Sequence, residues 1–132
     1  MTDNSDMSTL VEKGLATRRQ LFGDAYVDSA FAGADDFDRP IQELMTAFGY
    51  GGVWARPGLP MTVRSMITIA LIASANRPVE LKQHVKGALR NGVTPDQIRE
   101  VMLHVALYCG GPAGMGAFRT AQEALREAAT TA

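Results

Sequence analysis

Apolar residues recur every three to four positions along most of the chain, and that spacing predicts helices. Leu10, Leu15, Leu21 and Phe22 are the apolar members of a first helix expected over residues 8–22. Arg18 and Arg19 fall near its C-terminal end, where the helix dipole favours cations. Residues 1–7 are polar and expected to be disordered. Gly23 stops the first helix, and a shorter one over residues 25–31 ends before Gly33 and the Asp35-Asp36 pair. Asp38 is placed to cap a helix over residues 39–48, with Pro40 in its opening turn and Ile41, Leu44, Met45 and Phe48 at helical spacing.

Residues 49–60 break this rhythm. Their glycines and prolines predict a connector without regular structure, yet the stretch carries Tyr50, Trp54 and Arg56. Two readings stand side by side: a connector with Trp54 plugged into the core, or a loop that carries Trp54 and Arg56 to a pocket. Thr62 is placed to cap the next helix, over residues 63–75. Its Met66, Ile67, Ile69, Ala70, Leu71, Ile72 and Ala73 leave almost no polar side and predict burial all round. Arg64 and Thr68 interrupt that surface. An Arg in the first turn opposes the helix dipole and calls for an anion, either Glu80 or a ligand carboxylate.

The central stretch is 76–91. Pro78 suits the first turn of a helix and Gly92 is placed to cap its far end, with Val79, Leu81, Val85, Ala88 and Leu89 as a narrow apolar face. Glu80 and His84, four apart, stack on one side. Arg77, seven before His84, falls on the same line if the helix reaches back to it. Thr94-Pro95-Asp96-Gln97 has the form of a capping box and opens a helix carrying Ile98, Val101, Met102, Val105, Ala106 and Cys109. Gly110-Gly111-Pro112 ends it, and a last helix over residues 113–129 presents Met115, Phe118, Ala121 and Leu125. No stretch sustains period-two alternation, so the expected fold class is all-α, with about six to seven helices.

Length and charge narrow the function classes. The 132 residues are expected to form one domain, 1–132. A net charge of −1 gives no electrostatic pull toward nucleic acid or an anionic membrane. No apolar run approaches the roughly 20 residues that span a bilayer, and the acidic N-terminus is unlike a signal peptide. The single Cys109 excludes an intrachain disulfide framework. A cytoplasmic protein is the expectation.

The candidate chemistry centres on His84. The pairs Glu80/His84 and Glu100/His104 have Glu-x-x-x-His spacing, whereas di-iron bundles use Glu-x-x-His with further glutamates, so no metal is expected. Cys109 lacks a C-x-x-C partner and is expected to be an inert, buried thiol. His104, sharing a strip with Glu100 and Leu107, is expected to be structural or a subunit contact. The Glu80–His84 pair likewise needs no purpose beyond helix stability. Its company suggests more: Arg56, Arg64 and Arg77 each stand at a loop or helix end able to converge on it. Guanidinium groups bind carboxylates bidentately, so these residues suggest an anionic, dicarboxylate substrate undergoing proton chemistry.

The strings Gly52-Val53-Trp54-Ala55-Arg56-Pro57-Gly58-Leu59-Pro60, Arg64-Ser65, Glu80-Leu81-x-x-His84, Asn91-Gly92-Val93-Thr94, Leu107-Tyr108-Cys109-Gly110 and Pro112-Ala113 resemble those of γ-carboxymuconolactone decarboxylases. The likeness covers nearly the whole chain. The wider alkylhydroperoxidase-like superfamily carries Cys-x-x-Cys-x-x-x-His on its active helix. Aligned on His84, those cysteines fall at Arg77 and Glu80, so a disulfide relay is excluded. The resemblance implies an alkylhydroperoxidase-like bundle and a homo-oligomer, trimer or hexamer. It further implies cofactor-independent decarboxylation of 4-carboxymuconolactone to 3-oxoadipate enol lactone in protocatechuate breakdown. On that reading His84 delivers a proton and Glu80 orients it. Arg56 and Arg64 anchor the substrate, Trp54 closes the pocket, and Arg77 either joins the anchors or pairs with Glu80. Two segments depart from the family pattern: Met61-Thr62-Val63, and residues 113–118, which read Ala-Gly-Met-Gly-Ala-Phe. They leave open a relative acting on another lactone or unsaturated acid, or a non-catalytic oligomeric binding protein.

Overall fold

In the computed structural model, which describes residues 4–131, every regular element is helical. The order is α1 (Asn4–Phe22), α2 (Asp24–Ala32), α3 (Arg39–Leu44), a π-helical segment Met45–Trp54, α4 (Met61–Ser74), α5 (Pro78–Arg90), α6 (Pro95–Cys109) and α7 (Gly111–Thr130). The all-α expectation holds. The elements fall into two compact units, one ending at Leu59 and the other beginning at Pro60.

In the N-terminal unit, α1 starts at Asn4, so residues 4–7 are helical rather than disordered, and Asp6 in the first turn complements the dipole. Residues 1–3 lie outside the described residues. The unit is organised by a crossing of α1 over the π-helical segment. A Cβ on Gly14 would drive into the Thr46 carbonyl, and one on Gly51 into the Leu10 carbonyl. Only glycine permits backbones to approach this closely. That crossing explains why 49–54 is not the irregular connector expected: the cost of glycine in a helix, about 1 kcal/mol each, is offset by tertiary contact. The helix continues with wider, π-type turns as far as Trp54, and only residues 55–60 are irregular.

Leu21, Phe22, Val27 and Ala47 are buried in this unit. Arg18, near the C-terminal end of α1, is 7% exposed. It donates to the Thr46 hydroxyl at 3.3 Å and lies over the rings of Phe31 and Tyr50, at 5.7 and 5.6 Å. Asp38 occupies the N-cap position of α3 without capping it, because its backbone is already helical. Its carboxylate accepts from the Asp35 N–H at 2.8 Å instead. The expected inward face of this helix is outward: Ile41, Leu44, Met45 and Phe48 are all exposed.

In the C-terminal unit, Ile69 and Ala73 from α4, Leu81, Val85 and Ala88 from α5, Ile98, Met102 and Val105 from α6, and Ala117, Ala121 and Ala124 from α7 form one core. Gly114 lets α7 lie against Ala106 of α6, where a Cβ would come within 2.8 Å of the Ala106 Cα. The boundaries of α5 follow from Pro78 at its start and Gly92 (φ 96°) beyond its end. Thr94 and Gln97 form the expected capping box: the Gln97 N–H donates to the Thr94 hydroxyl at 3.1 Å, and the Thr94 N–H to the Gln97 side chain at 3.0 Å.

Four expectations are corrected in this unit. Thr62 lies inside the first turn of α4, which starts one residue earlier behind Pro60, so it is not the cap. Helix α4 is not buried all round: Ser65, Ile69 and Ala73 face inward, while Ile67 and Leu71 are 46% and 63% exposed. Val79 stands in solvent rather than on the apolar face of α5, one residue after the helix-opening Pro78. Cys109, the last residue of α6, is exposed because the helix ends where it leaves the core. No described helix is long and apolar enough to cross a membrane.

Candidate active site

Helix α5 turns Leu81, Val85 and Ala88 into the core and leaves His84 half-buried at the edge of that face. Glu80, one turn earlier, is exposed. Burial pushes the imidazole of His84 down to about 4, and the Glu80 carboxylate pulls weakly the other way. Desolvation disfavours the charged form more than one exposed carboxylate can restore it. His84 is therefore a neutral base at physiological pH, electrostatically linked to a carboxylate on its own helix.

Helix α4 packs on α5 and supplies Arg64 and Ser65. Arg64 is half-buried, with its Nε sealed from solvent. Its carbonyl accepts from the Thr68 hydroxyl at 2.8 Å, so Thr68 is used within the helix. Ser65, 1% exposed, accepts from Asn91 Nδ2 at 3.0 Å, and Asn91 Oδ1 is buried without a hydrogen-bond partner. Asn91 lies seven residues after His84, two helical turns or about 10 Å of rise along α5. The Ser65–Asn91 bond thus ties the N-terminal part of α4, next to Arg64, to the C-cap of the helix that carries His84. Sequence reasoning missed this pair. Asn91 is only the last residue of the expected helical stretch 76–91, and a serine–asparagine contact 26 residues apart has no periodic signature.

Arg77 does not join that line. It is the N-cap of α5, with φ −118° and ψ 78°, and follows Asn76 in a left-handed conformation (φ 57°). The helix does not reach back to it, so helical spacing no longer dictates its direction. It lines a cavity of about 230 Å³ whose wall includes Arg119 and Thr120 of α7 but neither Glu80 nor His84.

Trp54 and Arg56 belong to the N-terminal unit. Trp54 ends the π-helical segment, half-buried, with its ring 6.2 Å from that of Tyr50. Arg56 is exposed, and its backbone N–H donates to the Val53 carbonyl at 3.1 Å. His104 is exposed and packs its ring 6.0 Å from Tyr108. Among the described residues no three His, Cys, Asp or Glu side chains gather as metal ligands.

This arrangement suits proton transfer beside a bound carboxylate: a neutral imidazole, a carboxylate able to steady its positive form, and a half-buried guanidinium on the adjoining helix. Comparison with known proteins finds decarboxylases. The chain is 41% identical over 118 residues to the nitrosuccinic acid decarboxylase npaB of Metarhizium robertsii, covering 89% of this chain and 82% of the relative. It is 36% identical over 116 residues to the 4-carboxymuconolactone decarboxylase of Acinetobacter baylyi, covering 88% and 87%. Residues 39–123 match the carboxymuconolactone decarboxylase family, and the chain belongs to it.

Proposed function

We propose that this carboxy-lyase removes CO2 from a small dicarboxylate without a cofactor, with 4-carboxymuconolactone as substrate and 3-oxoadipate enol lactone as product. The bond from the ring carbon to the carboxylate breaks, and its electron pair spreads through the adjacent C=C onto the lactone carbonyl oxygen. Protonation at the carbon next to that carbonyl completes the reaction. The observation that carries the reading is His84: an imidazole kept neutral by burial, beside a carboxylate, on a helix of a decarboxylase-family chain. A dianionic substrate favours the imidazolium, so His84 takes up a proton as substrate binds and delivers it to carbon. Glu80 steadies the charged ring. Arg64 holds a carboxylate or the developing enolate oxygen. Arg56 and Trp54 are assigned to substrate binding on the strength of the Trp-x-Arg-Pro-Gly-Leu string.

A second substrate is favoured by the 41% identity to a nitrosuccinic acid decarboxylase. In nitrosuccinic acid the nitro group takes the electron pair that the lactone carbonyl takes above, and the carbanion again needs one proton. The unusual residues at 61–63 and 113–118 fit a change of substrate on unchanged proton chemistry. Homo-oligomerisation, as a trimer or hexamer in the cytoplasm, belongs to the same proposal. In its support, Ile67 and Leu71 of α4 and Leu103 and Leu107 of α6 leave apolar side chains exposed on the single chain.

The test is CO2 release from 4-carboxymuconolactone and from nitrosuccinic acid by the wild type and by His84→Ala. Turnover of one substrate, falling by about 10²–10⁴ in the variant, is expected. Near wild-type turnover by a folded His84→Ala protein refutes the assignment.

A further inference from the structure

We propose that the cavity walled by Arg77, Arg119 and Thr120 is a binding site for a small oxyanion, a short dicarboxylate or inorganic phosphate, separate from the His84 site. Two arginines, Arg77 at the start of α5 and Arg119 on α7, both exposed, line one cavity of about 230 Å³. No Asp or Glu lines it, and among the described residues neither guanidinium is paired with a carboxylate. In this unit Lys82, Lys86 and Arg99 are matched to acids, whereas Arg77 and Arg119, like Arg90 and Arg126, make no ion pair among the described residues. Two like charges at one concavity repel each other, and an anion bound by both turns the repulsion into charge-assisted contacts.

The surrounding groups are donors. Thr120 is half-buried, and its hydroxyl makes no hydrogen bond among the described residues; Asn76 lines the same wall. The root of Arg77 is held on both sides. Its N–H donates to the Ile72 carbonyl at 3.3 Å, and its own carbonyl accepts from the Leu81 N–H at 2.9 Å. The left-handed backbone of Asn76 (φ 57°) and the ring of Pro78 fix the chain around it. The positive end of the α5 dipole lies at this corner and adds to the field. The volume equals about eight waters, which suits a molecule of phosphate or succinate size and is below the usual range for drug-sized ligands. Arg64, Glu80 and His84 are absent from the wall, which separates this site from the decarboxylation chemistry.

The experiment measures thermal stabilisation of the intact protein by succinate and by phosphate, at ionic strength held constant with chloride, for the wild type and Arg119→Gln. A saturable rise in Tm with at least one of the two anions is expected, with apparent affinity lower by about tenfold or more in Arg119→Gln, the size of losing hydrogen bonds from a charged donor. A response to succinate alone identifies a carboxylate ligand, and a response to phosphate alone an inorganic one. The KM and kcat of decarboxylation are unchanged in Arg119→Gln. The proposal is overturned if neither anion stabilises saturably, if Arg119→Gln binds as tightly as the wild type, or if its KM rises about tenfold, which would make the cavity part of the decarboxylation site. The stabilisation arm requires no turnover, so it stands or falls independently of the proposed reaction.

Discussion

His84 makes fold stability depend on pH in a calculable way. An unfolded chain protonates this imidazole at its ordinary value of 6.5, whereas burial in the folded chain lowers it to about 4. Because the folded-state value is the depressed one, the unfolded state holds more protons between the two. Stability is therefore complete above 6.5 and is lost as pH falls toward 4. At about 1.4 kcal/mol for each tenfold change in proton affinity, the full loss is about 3 kcal/mol, and about 2 kcal/mol is already lost at pH 5. That is a large share of the few kcal/mol that hold a small protein folded. The perturbation is His84→Gln, which cannot titrate. The assay is urea unfolding of both proteins at about pH 7.5 and about pH 5, at one chain concentration. Carboxylates also respond over this interval, but they respond in both proteins and cancel in the double difference. The wild type should lose about 2 kcal/mol more than the variant on acidification. Equal losses, within about 0.5 kcal/mol, would show that the ring is as easily protonated folded as unfolded, and the description of His84 as a buried neutral base would fall.

Gly14→Ala separates two physical effects of opposite sign. Helix propensity favours Ala by about 1 kcal/mol, but the new Cβ meets the Thr46 carbonyl, so a net loss of about 1–3 kcal/mol is expected. Thermal melts check it, with Gly58→Ala, which meets nothing within 4 Å, as the neutral control. Thr94→Ala breaks the capping box and should cost about 1 kcal/mol by urea unfolding, while Thr94→Ser should keep most of it.

Helices α5 and α6 were legible from the chain because their boundaries are local chemistry. Pro78 and Gly92 bracket one, and the Thr94–Gln97 box opens the other, whatever the rest of the protein does. The helical winding of 45–54 was not legible, because glycine lowers helix stability locally while its compensation comes from α1, more than 30 residues away. Periodicity also says which residues could share a face without saying how many faces find partners. That is why α4 read as buried all round, although Ile67 and Leu71 are exposed. In the site, the Glu80/His84 spacing was visible because it depends on one helix. The place of Arg77 on that line depended on the helix reaching back to it, and α5 begins instead at Pro78, with Arg77 as its N-cap after the left-handed Asn76. Arg119 drew no notice: its significance lies in sharing a wall with Arg77, 42 positions earlier, and no local pattern records that.

The lone indole of the chain sits at position 54, packed near Tyr50 in the N-terminal unit. Its emission is consequently a spectroscopic label for that unit alone, supplied without any chemical modification. Far-ultraviolet ellipticity, by contrast, sums over every helix of both. Recording the two signals on one heating ramp turns the question of whether the halves melt together or in succession into a comparison of two midpoints.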